Sequence, residues 1–158
     1  MAKVEITLKE GAKAPEFTAN TNGGGSVTLS QFAKIGKQVV LYFYPRDNTP
    51  GCTKEACAFR DSHAKIKRRG TVVLGVSKDS VKSHDKFVEK FELPFILLSD
   101  EDTRIAQAYG VWGEKVFMGR KFMGMHRVTF LIDATGRIKK IWPEVKPDQH
   151  AEEVLAAL

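Results

Sequence analysis

Three apolar runs, each too long and too β-branched for a loop, constrain this chain most. Gln38–Tyr44 (QVVLYFY), Thr71–Ser77 (TVVLGVS) and Phe95–Leu98 (FILL) read as strands covered on both faces. Helical patterns lie between them. Val81, His84, Phe87, Val88 and Phe91 share one face, with Ser80 as the N-cap, and Ile105, Ala106 and Tyr109 mark a short helix stopped by Gly110. Strands that alternate with helices of crossover length predict an α/β domain with a largely parallel core. The ending differs. Val128–Asp133 (VTFLID), a turn at Ala134-Thr135-Gly136, and Arg137–Trp142 (RIKKIW) read as an antiparallel hairpin, and Val154, Leu155 and Leu158 suggest a last helix after Pro147 and Asp148. Asn20–Ser26 (NTNGGGS) reads as a turn or flexible loop, too short to separate domains. The expectation is one domain over residues 1–158, with no internal repeat.

Bulk properties narrow the functions. At 158 residues and 42% hydrophobic content, the chain can bury a core without covalent staples. No apolar run is long enough to span a bilayer, and Met1–Gly11 alternates apolar and polar residues with no signal-peptide pattern. The expectation is a cytoplasmic protein with no membrane partner. The net charge of +6 invites a nucleic-acid reading, but the cations are dispersed. The densest group, Lys65, Lys67, Arg68 and Arg69, suits the negative end of a helix dipole, and aromatics are not interleaved with the basic residues. No nucleic-acid partner is expected.

Only two cysteines are present, Cys52 and Cys57, which points to metal or redox chemistry. Structural zinc needs four ligands, and His63, His84, His126 and His150 have no ligand-like spacing, so no metal is expected. Cys52 follows the strand of residues 38–44, where open α/β sheets place their ligands. Thr49 suits an N-cap and Pro50 the first helical position, so Cys52 falls in the first turn of a helix. Free N–H groups and the dipole favour an anion there, and the thiolate is the nucleophilic form of cysteine. Cys57 lies five positions on. In an ideal helix, Cα atoms at that spacing are about 8.6 Å apart, beyond the roughly 7 Å that a disulfide spans. Cys57 is therefore a packing residue, or a partner that Cys52 reaches only after local unwinding.

The segment Phe43-Tyr44-Pro45-x-Asp47-x-Thr49-Pro50-Gly51-Cys52-Thr53-x-Glu55-x-x-x-Phe59-Arg60-Asp61 resembles the active-site stretch of peroxiredoxins of the bacterioferritin-comigratory-protein, or peroxiredoxin Q, type. Pro45, Thr49 and Cys52 meet the broader Pro-x-x-x-Thr/Ser-x-x-Cys pattern. Tyr109-Gly110-Val111-Trp112, Gly124-x-His126-Arg127-x-Thr129-Phe130-Leu131-Ile132-Asp133 and the opening Gly11-x-x-Ala14-Pro15-x-Phe17 extend the resemblance over nearly the whole chain. It implies a thioredoxin-like fold, with a central mixed sheet flanked by helices. It implies a thiol peroxidase without cofactor, acting on hydrogen peroxide or organic hydroperoxides. Cys52 would form a sulfenic acid, which condenses readily with a thiol, and Cys57 would resolve it as an intramolecular disulfide. Thioredoxin or a similar dithiol would restore the thiols.

By the same resemblance, Arg127 would favour the thiolate and polarise the peroxide, Thr49 would hydrogen-bond near the sulfur, and Pro45 would shape the pocket. Glu55 ranks below these, as a carboxylate that suits the dipole of a first turn. Phe117, Met118, Phe122, Met123 and Met125 fall in a glycine-bearing loop that rims the pocket, packs on the moving helix or packs on the core. The resemblance also implies a monomer, and no exposed apolar stripe in the sequence argues otherwise. A redox sensor that passes oxidation to a partner protein is the other reading of the same cysteines.

Overall fold

A computed structural model describes residues 5–158, so residues 1–4 of the alternating N-terminal stretch lie outside the description. The apolar runs form the middle of a seven-stranded mixed sheet. In chain order the strands are β1 (Thr18–Thr21), β2 (Ser26–Thr28), β3 (Gln38–Phe43), β4 (Thr71–Ser77), β5 (Ile96–Ser99), β6 (Trp112–Phe117), β7 (Arg120–Met125), β8 (Val128–Ile132) and β9 (Ile138–Trp142). The helices are α1 (Ser30–Lys34), α2 (Pro50–Arg68), α3 (Val81–Phe91), α4 (Arg104–Ala108) and α5 (His150–Ala157). The sheet order is β2-β1-β5-β4-β3-β8-β9, while β6 and β7 pair only with each other. The expected α/β class and mixed, helix-flanked sheet are present.

Strand β3 sits deep because both its edges are paired. It runs parallel to β4 (Val39 opposite Val72, Phe43 opposite Val76) and antiparallel to β8 (Leu41 opposite Phe130, Phe43 opposite Val128). Its side chains alternate between two cores. Val39, Leu41 and Phe43 join Phe32 of α1 and Ile105 of α4 on one face. Val40 and Tyr42 join Phe59 and Ile66 of α2, Phe87 of α3 and Val154 of α5 on the other, where Cys52 also lies. Continuously apolar strands are what this two-sided burial requires.

The antiparallel pairing matters for the site. Because β8 begins opposite the end of β3, residue 127 is carried to the same sheet edge as the start of α2. The expected hairpin of residues 128–142 is the β8–β9 pair, with a bulge between Leu131 and Ile132.

Two segments differ from expectation. Asn20–Ser26 is not a free loop. It holds the end of β1, a 3-10 turn over Asn22–Gly24 and the start of β2. The Asn22 side chain accepts from the Leu97 N–H at 2.9 Å, and the Gly23 N–H donates to Asp85 at 2.6 Å. The Phe/Met-rich segment is not a loop packed on the core; it belongs to the β6–β7 hairpin, of which five large apolar side chains are exposed to solvent.

Tyr42 and Gly75 are register partners on β3 and β4. A Cβ on Gly75 would lie 2.8 Å from Tyr42 Cζ and 2.8 Å from Leu97 Cδ2. Glycine here lets the Tyr42 ring lie down and stack on Phe59 of α2, with centroids 4.8 Å apart. Gly75→Ala is therefore expected to overpack this face and lower stability by about 1–3 kcal/mol in urea denaturation. An unchanged midpoint would show that the Tyr42 layer yields freely.

Candidate active site

Pairing of β3 stops at Phe43, and the chain turns through residues 44–49 into α2. Thr49 is the N-cap residue and is extended (φ −97°, ψ 157°), and Pro50 opens the helix. The hydroxyl of Thr49 does not cap through a side-chain bond. It donates to the Arg46 carbonyl at 2.9 Å, tightening the turn ahead of the helix. No bond from it to sulfur is present. The first helical hydrogen bond nearby is Thr53 N–H to Thr49 O, 2.8 Å. Cys52 thus stands in the first turn, with its side chain 2% exposed. Pro45 is half-buried at the start of the turn.

Arg127 comes to Cys52 from the base of β8. Its Nη2 donates to Cys52 Sγ at 3.3 Å and its Nη1 to Glu55 Oε1 at 2.7 Å. One guanidinium therefore holds the sulfur and a carboxylate at once, a use of the planar donor fork that lysine cannot copy. Gly51 leaves room for it, since a Cβ there would sit 3.2 Å from Nη2.

Glu55 is in the second turn of α2, not the first, and is fully buried. Burial pushes its carboxyl up, to about 7, against the pull of Arg127. Its Oε2 has no hydrogen-bond partner among the described residues. Burial also opposes the Arg127 charge, yet Glu55 and then Cys52 hold it above the ordinary arginine value. The signal for Glu55 was in the spacing. Cys52, Glu55, Ala56 and Phe59 form an i, i+3, i+4, i+7 buried stripe, so Glu55 must face inward with the sulfur.

Cys57 falls off that stripe and is half-buried. Both thiols are free, and α2 is continuous through both positions. The site therefore brings together Cys52 and Arg127, adds Glu55, and leaves Cys57 a turn and a half away.

Beside the turn lies a cluster that sequence spacing did not reveal. Asp47 is buried and accepts from Tyr44 OH at 2.6 Å, Ser83 Oγ at 2.8 Å and His84 Nδ1 at 2.7 Å. Its N–H donates to Asp79 Oδ2 at 2.8 Å, which also accepts from Ser77 Oγ at 2.6 Å. Asp47, Asp79 and His84 lie close enough to form a cation-like cluster. Their facing oxygens, however, are already taken by these donors, so the arrangement works as a hydrogen-bonded clamp.

His84 Nε2 faces the Leu98 carbonyl at 2.9 Å, so both ring nitrogens meet acceptors and both must carry protons. Burial lowers the His84 pKa, but the bond and charge of Asp47 outweigh it, and the net shift is upward. A base held above its unfolded value adds stability that is complete below 6.5 and fades as pH rises through the folded value. His84→Gln is expected to cost up to about 3 kcal/mol at acidic pH. The deficit should narrow as urea denaturation is repeated at rising pH above 6.5. A deficit that does not change with pH would rule out the charged pair.

The AhpC/TSA family model matches residues 11–141. The chain is 47% identical over 153 residues to peroxiredoxin Bcp of Bacillus subtilis, covering 97% of this chain and 96% of that one. It is 45% identical over 148 residues to peroxiredoxin Bcp of Escherichia coli, covering 94% of each. Among solved structures, a bacterioferritin comigratory protein of Xanthomonas campestris, described with alkyl peroxide reduction activity, matches with a TM-score of 0.85. That match is at 38% identity and covers 97% and 96% of the two chains. Peroxidoxin BcpB of Mycobacterium tuberculosis matches with a TM-score of 0.83 at 34% identity, covering 95% and 96%.

Proposed function

We propose a two-cysteine cycle from the premise that the chain belongs to the AhpC/TSA family and is a thiol peroxidase of its Bcp peroxiredoxin branch. The observation that carries the cycle is the 3.3 Å contact between Arg127 Nη2 and Cys52 Sγ at a helix N-terminus. The guanidinium is aimed at one buried sulfur and the helix N-terminus adds its positive dipole end, and both favour the anion.

In the first half-reaction, the Cys52 thiolate attacks the distal oxygen of hydrogen peroxide or an organic hydroperoxide. A sulfur–oxygen bond forms and the O–O bond breaks. Sulfur is oxidised to sulfenic acid, and the leaving oxygen takes a proton to become water or an alcohol. Arg127 is placed to steady charge on the departing oxygen. Glu55 fixes the guanidinium by its 2.7 Å bond. Pro45 and Thr49 contribute through the turn: Pro45 at its start, Thr49 by the bond to Arg46 that sets the helix entry.

In the second half-reaction, Cys57 condenses with the sulfenic acid. An S–S bond forms, the S–O bond breaks and water leaves. Helix geometry forbids this step in an intact α2, so the first turn and a half must unwind. A dithiol reductant of the thioredoxin type then returns both thiols. The reading is of a monomeric, cytoplasmic enzyme that uses neither a metal nor a nucleic-acid partner. The basic group Lys65, Lys67 and Arg68 supports this, since it sits in the last turn of α2 where the dipole accounts for it.

Stopped-flow kinetics separate the half-reactions. Cys52→Ser should abolish peroxide consumption. Arg127→Gln should slow sulfenic-acid formation by about 10²-fold, as loss of an oxyanion donor does. Cys57→Ser should keep one full turnover and lose thioredoxin-driven cycling. Undiminished cycling in Cys57→Ser would overturn the intramolecular disulfide. Efficient oxidation with poor cycling in the unmodified protein would favour the sensor reading.

A further inference from the structure

We propose that the β6–β7 hairpin is an interfacial anchor that docks this protein on the headgroup region of an anionic lipid bilayer. Among the described residues, the exposed large apolar side chains are Ile35 and five on this hairpin: Val116, Phe117 (68% exposed), Met118 (88%), Phe122 (47%) and Met123 (55%). Such concentration on one element marks an interaction surface, and it corrects the expectation that no exposed apolar feature exists. The hairpin is outside the main sheet, and although Trp112 and Met125 at its base pack on the core, the apolar residues nearer its tip do not.

The register identifies the occupant. Val116 pairs with Lys121 and Glu114 with Met123, while Phe117 pairs with Arg120 and Lys115 with Phe122. Opposed residues share a face and successive ones alternate. Val116 and Met123 are thus on one face, Phe117 and Phe122 on the other, and Met118 at the tip. A protein partner lying on the hairpin covers one face. A lipid interface surrounds a wedge on both. Charge agrees with this. Arg120 and Lys121 are exposed beside the tip, Glu114 is the only acid in the hairpin, and the chain carries +6. Cations flanking inserted apolar side chains are the pattern of a segment that lies in an anionic interface.

The turn adds an independent sign. Met118 (φ 51°) and Gly119 (φ 78°) are both left-handed, as a two-residue hairpin turn of this kind demands. Asn, Asp or Gly suits the first position; a methionine there is strained and, being almost fully exposed, gains no packing in return. Insertion into lipid supplies the burial that the free protein does not. No helix among the described residues is long and apolar enough to cross a membrane. The proposal departs from the expectation of no membrane partner by way of a surface contact. Because β7 runs through Met125 and His126 directly into Arg127, docking would hold the Cys52 site close to the interface.

Co-sedimentation with vesicles tests this without catalysis, so its outcome stands apart from the peroxidase reading. The full chain should pellet with vesicles of equal parts phosphatidylglycerol and phosphatidylcholine, and much less with phosphatidylcholine alone. Phe117→Ser/Met118→Ser should lower the vesicle affinity by about tenfold or more, with hydrogen peroxide turnover unchanged. Met118→Asn is the decisive control: it suits the turn, so the thermal midpoint should hold or rise while affinity falls. The proposal is overturned if the unmodified chain stays in solution with anionic vesicles. It is equally overturned if the apolar variants pellet as well as the unmodified chain and only added salt releases them. A concentration-dependent dimer that Phe117→Ser abolishes would assign the hairpin to a second copy and overturn the lipid anchor. So would a raised KM for the thioredoxin reductant without any vesicle binding.

Discussion

An intact α2 keeps the two sulfurs apart. At five residues' spacing, about 7.5 Å of helical rise and a turn of about 140° separate the Cα atoms, and no rotamer change closes that distance. The same helix gives Cys52 its surroundings: free first-turn N–H groups, the Arg127 contact and near-complete burial. The geometry proposed to favour a thiolate at Cys52 is thus also the geometry that keeps Cys57 from it. A cycle through both cysteines has to alternate between two forms of one segment.

That segment is held from both sides. Upstream, Asp47 ties the turn to Tyr44, Ser83 and His84, and its own N–H is held by Asp79. Downstream, Phe59 and Ile66 are fully buried against the sheet and the α5 side. Between them, the first turn and a half is held by the backbone bonds of α2, by burial of Cys52, Glu55 and Ala56, by the Thr49–Arg46 bond and by the Arg127 fork. Glu55 acts in both directions: its 2.7 Å bond to Arg127 holds the closed turn, while its burial opposes it. Its carboxyl, pushed up to about 7 by burial, is better hydrated when the turn opens, so its desolvation penalty favours unwinding. Oxidation of Cys52 weakens the opposing term, because a neutral sulfenic acid binds Arg127 less strongly than a thiolate.

Much of the frame was legible in sequence because burial on both faces leaves a strong mark. Runs such as QVVLYFY and VTFLI have no other stable use, and Ser80 caps α3 as its position suggests, accepting from the Ser83 N–H at 3.1 Å. Strand β1 (TANT) was hidden because a short polar strand near a sheet edge resembles a turn. The β6–β7 hairpin was hidden because most of its apolar residues face solvent, which reverses the usual rule. In the site, Cys52 followed from capping chemistry alone. Arg127 did not: nothing local distinguishes it from other basic residues, and only the antiparallel pairing of β8 with β3 explains why it arrives. The Asp47–His84 bond spans 37 residues and has no local pattern at all. Glu55 was readable from its three-residue offset to Cys52, and taking it as a dipole partner overlooked that both had to point inward.

The two-cysteine cycle requires that the two sulfurs of one chain meet. Intact mass spectrometry with peptide mapping, after one equivalent of hydrogen peroxide and rapid quenching, measures this directly. The expected product has lost two hydrogens and yields a single linked peptide pair joining Cys52 to Cys57. Oxygen retained on Cys52, with Cys57 still free to alkylate, would contradict it and return Cys57 to a packing role on a helix that never opens.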